Sequence, residues 1–178
     1  MTDDSPAPPP SPIIVTALMG PSDFAWADAL RRAHFPPERN HLSAHITLFH
    51  HLPPSALPEI ADRLKRLCAG PPPRAALTEV MMLGRGVAYR IESPDLLAMR
   101  DDLAHAFAGL LTPQDQARPR LHVTVQNKVA PAIAKALAEE LRAAFRPRPF
   151  AIAGLAAWYY RGGPWEPAMR AMFRGSPR

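Results

Sequence analysis

Leu121-His122-Val123-Thr124-Val125-Gln126-Asn127-Lys128 has an echo earlier in the chain, Ala44-His45-Ile46-Thr47-Leu48-Phe49. Each copy reads His-x-Thr-x. Ala44, Ile46 and Leu48, like Leu121, Val123 and Val125, fall on one parity, and His45, Thr47, His122 and Thr124 fall on the other. Alternation with period 2 is the pattern of a half-buried strand. Such a strand presents its His and its Thr side by side on the face turned away from the core. Two of them supply two imidazoles and two hydroxyls. Neutral imidazole takes a proton, imidazolium gives one, and a threonine hydroxyl donates to a phosphate oxygen, so the set suits phosphate chemistry. One copy alone fixes only two positions; the weight lies in the repeat.

Outward from the motifs, the flanking elements also repeat. An apolar strand from Ile13 to Leu18 ends at Gly20-Pro21, and Ser22 caps a helix to about His34 that Pro36-Pro37 stops. The first motif strand, about 42–51, is followed by a helix over about 55–69 with an apolar stripe of Leu57, Ile60, Leu64 and Leu67. Strands over about 75–83 and 87–92 join through Gly84-Arg85-Gly86 as a hairpin. Ser93-Pro94-Asp95 is a helix start with N-cap, N1 proline and a first-turn acid, and the helix runs to about Leu111, burying Leu96, Leu103, Phe107 and Leu110. The second motif strand, about 121–129, leads to a helix opened by Pro131 and carrying Ile133, Leu137, Leu141 and Phe145. Strands over about 150–160 and 165–173 flank a Gly162-Gly163 turn.

Residues 13–83 thus read strand, helix, motif strand, helix, strand, and residues 87–160 read the same again. The expected fold is α+β, a duplicated βαβαβ of two lobes, about 12–85 and 86–174, with helices outside. Residues 1–11, rich in proline, are expected as an extended tail, leaving 12–178 as one bilobal domain. If the halves pack about a pseudo-two-fold axis, His45 and His122 face each other across a central cleft.

The paired His45-Ile46-Thr47-Leu48 and His122-Val123-Thr124-Val125, half a chain apart, resemble the motifs of the 2H phosphoesterase superfamily, which includes 2'-5' RNA ligases and RNA 2',3'-cyclic phosphodiesterases. Gly162-Gly163-Pro164-Trp165 resembles one branch of that family. The resemblance implies two mainly antiparallel sheets around the cleft. It also implies metal-independent hydrolysis of a 2',3'-cyclic phosphate at an RNA end, or of a related cyclic nucleotide, with His122 as base and His45 as acid. Thr47 and Thr124 would hold the nonbridging oxygens. Ligation to a 2'-5' bond, by the same site run backwards, is the enzymatic alternative; a non-catalytic RNA-end binding protein is the alternative from another class. Bacterial members of the RNA-ligase branch usually carry an arginine shortly after the second motif, and here Gln126-Asn127-Lys128 stands instead.

Composition bounds these readings. A chain of 178 residues can bury a sizeable core, and its formal charge of +5 favours a polyanionic partner such as RNA. The single cysteine, Cys68, excludes an internal disulfide and falls among the apolar positions of its helix. The amino terminus lacks the basic flank and apolar run of a signal peptide, and no stretch reaches the roughly 20 apolar residues of a membrane span. A cytoplasmic monomer is expected.

Further candidates follow from parity. Lys128 and Arg120 share the parity of His122 and would bring positive charge to the cleft. Phe49, Tyr159 and Trp165 are candidates to stack on a base. Metal binding through His45, His50, His51 and His122 is disfavoured because His50 has the wrong parity and no carboxylate or thiolate stands at a ligand spacing. No cofactor is expected. His51 reads as a rim position and His105 as a surface residue.

Overall fold

The computed structural model describes residues 10–175, so all but the last two residues of the proline-rich stretch lie outside it. Within that range seven strands and five helices follow in order: β1 (Ile13–Met19), α1 (Pro21–His34), β2 (Ile46–Leu52), α2 (Leu57–Cys68), β3 (Arg74–Met82), β4 (Val87–Glu92), α3 (Pro94–Ala106), α4 (Pro113–Gln116), β5 (His122–Gln126), α5 (Pro131–Ala144), β6 (Arg148–Tyr159) and β7 (Glu166–Met172). Every one of these helices carries proline in its first turn, where the missing N–H costs nothing. Ser93 caps α3 as its sequence predicts: its hydroxyl oxygen accepts from the Leu96 amide at 3.1 Å and its hydroxyl donates to the Arg74 carbonyl at 2.6 Å. That helix ends at Ala106, short of the expected Leu111, and Leu110, expected inside, is 50% exposed. Ile133 on α5 is exposed as well.

All strand pairs are antiparallel, and the order is β2-β1-β6-β3-β4-β5, with β7 added against β6. Exchanging the sequence halves (β1 for β4, β2 for β5, β3 for β6) reverses this order and leaves it unchanged. The pseudo-two-fold therefore passes between β6 and β3. Each half lends its last strand to the other: β3 pairs with β4, and β6 pairs with β1. The start of β6, Arg148–Ala151, lies against β3, while its remainder lies against β1 and β7. The two antiparallel sheets that the family resemblance implies are thus hydrogen-bonded into one network through a long shared strand.

The motif strands β2 and β5 occupy opposite ends of that order. They nevertheless touch, so the sheet curls until its two edges meet. Burial supplies the driving force. Ile46, Leu48, Val123 and Val125 are all buried in one continuous core with Ile13, Val15, Leu77 and Leu155, each of the motif side chains contributing on the order of 1.5–3 kcal/mol. Helix α1 packs on β5, and α2 packs Ile60, Leu64 and Cys68 inward beneath β6 and β7. Burial pushes the Cys68 thiol up to about 11, which fits a packing residue rather than a nucleophile.

Gly86 fixes how closely the β3–β4 hairpin approaches the end of β5. A Cβ there would run into the Gln126 carbonyl oxygen and come within 2.6 Å of the Asn127 Cα. Because both are backbone atoms, neither can swing aside. Gly86→Ala should therefore destabilise the protein by about 1–3 kcal/mol, read as a fall in the denaturant midpoint with the slope unchanged. A variant as stable as the parent would mean that the hairpin is not packed against β5 this tightly.

Candidate active site

The alternation read from the sequence sets the site. On β2 and β5 the core residues point in, while Thr47, His122 and Thr124, with His45 immediately before β2, are half-buried on the other face. With the sheet edges brought together, all four line one cleft of about 280 Å³.

Both histidines are held in the same way. His45 Nδ1 lies 2.8 Å from the Ser43 carbonyl oxygen, and His122 Nδ1 lies 2.6 Å from the Arg120 carbonyl oxygen, each two residues back along the chain. A carbonyl can only accept, so each ring carries its hydrogen on Nδ1, and Nε2 is left as the exchangeable nitrogen. Local backbone geometry therefore orients both imidazoles before any ligand arrives. Burial, with the nearby Arg31, His122 and His50 adding to it against the Ser43 contact, holds His45 down at about 4. Its ring is neutral at pH 7.

Two arginines reach across the pseudo-symmetry axis. Arg31 of α1, buried, donates from Nη1 to the Thr124 carbonyl at 3.2 Å and from Nε to Asn40 Oδ1 at 2.8 Å, with its guanidinium 4.2 Å from the Phe35 ring centre. Arg100 of α3, also buried, donates from Nε to the Leu48 carbonyl at 3.2 Å and from Nη2 to the Asp115 carbonyl. Each half thus grips the motif strand of the other.

The other candidates fare differently. Phe49 is corrected: it is 0% exposed and stacks its ring under Arg100, 4.3 Å from the guanidinium carbon, so no base can reach it. The cause is a break in parity. Thr47 pairs with Thr16 but Phe49 pairs with Val15, so β2 has an extra residue there and its faces flip. His50 then takes a place in the cleft, against the expectation from regular alternation, and His51 lies by Tyr160 and Arg161 instead. Lys128 is also displaced. β5 ends at Gln126, and Lys128 sits in a left-handed turn (φ 62°) outside the cleft lining. Tyr159 lies away from the cleft, with Arg161 4.9 Å from its ring centre. Trp165 is brought in, its ring centre 4.6 Å from that of His45. Arg120 also lines the cleft.

Sequence reasoning missed Asp115. This carboxylate, 1% exposed on α4, accepts from the His50 amide at 2.9 Å, the His51 amide at 2.9 Å and His50 Nδ1 at 3.1 Å. Burial alone would raise its pKa; those hydrogen bonds and the His50 ring hold it below the usual carboxylate range. Thr112-Pro113-Gln114-Asp115 has the cap, proline and acid of a helix start and could have drawn attention to it.

Trp165 and His45 also border a second, larger and mainly apolar cavity of about 430 Å³, lined among others by Met19, Phe24, Leu42, Trp158 and Met172. The two cavities share that wall.

The comparisons with known proteins agree with this architecture. Solved structures with the same fold include TT0787 of Thermus thermophilus (17% identity, TM-score 0.60, covering 92% of this chain and 98% of that one). A protein described as a phosphoesterase is similar at 15% identity and a TM-score of 0.63, covering 95% of this chain and 99% of that one. E. coli LigT complexed with 3'-AMP follows at 16% identity and a TM-score of 0.61, covering 92% of this chain and 98% of that one. A sequence comparison with curated proteins finds no match. The model of the 2'-5' RNA ligase superfamily matches residues 20–164, a span that contains both His-x-Thr motifs together with Arg31 and Arg100, and the chain belongs to that superfamily.

Proposed function

We propose that the chain hydrolyses a 2',3'-cyclic phosphate, at an RNA end or on a related cyclic nucleotide, using His122 and His45 as its base and acid. The observation that carries this is the matched pair of Nδ1 contacts, which leaves two Nε2 atoms available in one cleft. Water attacks phosphorus and gives its proton to His122 Nε2. The bond to one ribose oxygen breaks, and that oxygen takes a proton from His45 Nε2. A 2'- or 3'-phosphate results. Thr47 and Thr124, flanking the pair, donate hydrogen bonds to the nonbridging oxygens and hold the phosphorus in line. His45 is neutral in the free protein, so its proton arrives with the substrate, whose negative charge favours the imidazolium. The apolar cavity beyond Trp165 suits the nucleoside, with Trp165 as the stacking face. The 3'-AMP complex of the similar LigT fits a nucleotide-sized occupant.

The family match favours a second reading. A 5'-hydroxyl in place of water, meeting the same acid and base, would form a 2'-5' bond.

A screen of nucleoside cyclic phosphates and cyclic-phosphate-ended oligonucleotides tests the assignment. We expect ring opening to a single phosphate isomer, with the rate unchanged in EDTA. Among the described residues no three His, Cys, Asp or Glu side chains come together as a metal site. Failure to open any of these rings sinks the hydrolase reading, and loss on chelation with rescue by one divalent ion sinks the metal-free mechanism.

A further inference from the structure

The cleft carries more positive charge than one cyclic phosphodiester needs. Arg118 and Arg120 line it together, and among the described residues neither side chain has an ion-pair or hydrogen-bond partner. The carboxylate that lines the cleft, Asp115, is taken up by His50 and two backbone amides, and Arg100 is taken up by carbonyls. The two exposed guanidiniums thus remain unmatched beside the histidine pair.

Their placement is also fixed. Arg118-Pro119-Arg120 is a short segment between α4 and β5, and proline limits its backbone freedom. One end is anchored by Asp115 to β2; the other is tied down by the His122 Nδ1 contact to the Arg120 carbonyl. Held at both ends, the segment's backbone needs little further ordering to present two planar forks suited to phosphate oxygens.

We infer that Arg118 and Arg120 form a subsite for a second phosphate of the substrate, beside the phosphate on which the histidines act. The substrate class is then a nucleotide phosphorylated on both sides of its terminal ribose. This rests on the phosphoesterase reading of the cleft. The second group is either the phosphodiester to a preceding nucleotide or a 5'-phosphate monoester.

Calorimetric binding separates these cases without turnover. The ligands are a nucleoside 3'-phosphate, the same nucleoside 3',5'-bisphosphate, and a dinucleotide ending in a 3'-phosphate. The wild-type protein should bind at least one two-phosphate ligand about tenfold more tightly than the 3'-phosphate, the size of one charge-assisted contact. The tighter of the two identifies the source of the second phosphate. In R118Q/R120Q that advantage should shrink to less than about twofold, and R118K/R120K should keep part of it. R146Q, a cation outside the cleft lining, should keep all of it. An advantage that survives R118Q/R120Q overturns the subsite, as does one lost equally in R146Q, or the absence of any advantage in the wild type. If cyclic phosphates are not hydrolysed but the arginine-dependent advantage is present, the hydrolase reading fails and the subsite stands. Hydrolysis without the advantage fails the subsite alone.

Discussion

His122→Ala and His45→Ala should each lower kcat on a cyclic phosphate by about 10² to 10⁴, the range for loss of one general acid or base, with the fold intact. Both rings lie on the open face of edge strands whose stability comes from Ile46, Leu48, Val123 and Val125 behind them. The two losses should not add, since each proton transfer needs the other group in place. The pH profile carries more information. An acid must be protonated when reaction begins, so the limb due to His45 in kcat/KM should fall as pH rises through about 4. In kcat, which reports the bound state, that limb should move to higher pH because the phosphate charge stabilises the imidazolium. Both limbs of that kind should vanish in His45→Ala. A rate that instead rises through pH 4 makes His45 the base and His122 the acid. The same depressed pKa has a sign in folding: the unfolded ring binds a proton below about 6.5 that the native ring refuses until about 4. Native stability should therefore decline as pH falls across that window, less so in His45→Ala. If either variant unfolds, or keeps nearly full rate, that imidazole is structural.

The duplication and the cleft were legible in the sequence because both rest on period-2 alternation, and alternation survives wherever a strand stays regular. His45 and Thr47, His122 and Thr124 are such positions. Alternation fails where a ladder slips. The extra residue of β2 between Thr47 and Phe49 buried an expected stacking ring and turned His50, set aside on parity, into a cleft residue. Lys128 was lost for a similar reason: β5 stops two residues earlier, and a left-handed turn follows. The exchange of β3 and β6 between halves was invisible, because strand order depends on which distant edges meet and not on local pattern. Asp115, Arg31 and Arg100 were missed on the same ground. Their partners lie on the other half of the chain, 65 residues away from Asp115 at His50, 93 from Arg31 at Thr124 and 52 from Arg100 at Leu48.

Asp115→Ala should destabilise the protein by about 2–5 kcal/mol, a large loss for a residue outside the hydrophobic core. In a regular strand, successive amides point to opposite sides; at the irregular end of β2 the His50 and His51 amides both point at this carboxylate. Alanine would leave those two donors and His50 Nδ1 without their acceptor. Because its pKa is held below the ordinary carboxylate value, the contribution of Asp115 is complete above about pH 4 and fades as pH falls further. The difference in stability between wild type and Asp115→Ala should thus narrow in acid, which a change in packing alone would not produce. Asp115→Asn retains one acceptor oxygen and should lose less. Activity should follow position as well as stability, since this residue and Arg100 tie α4, and with it the start of the Arg118–Arg120 segment, to β2. At a temperature where the variant is still folded, KM for a substrate with two phosphates should rise more than KM for one with a single phosphate. Equal changes in both, or a stability gap that does not narrow in acid, would reduce Asp115 to a packing residue.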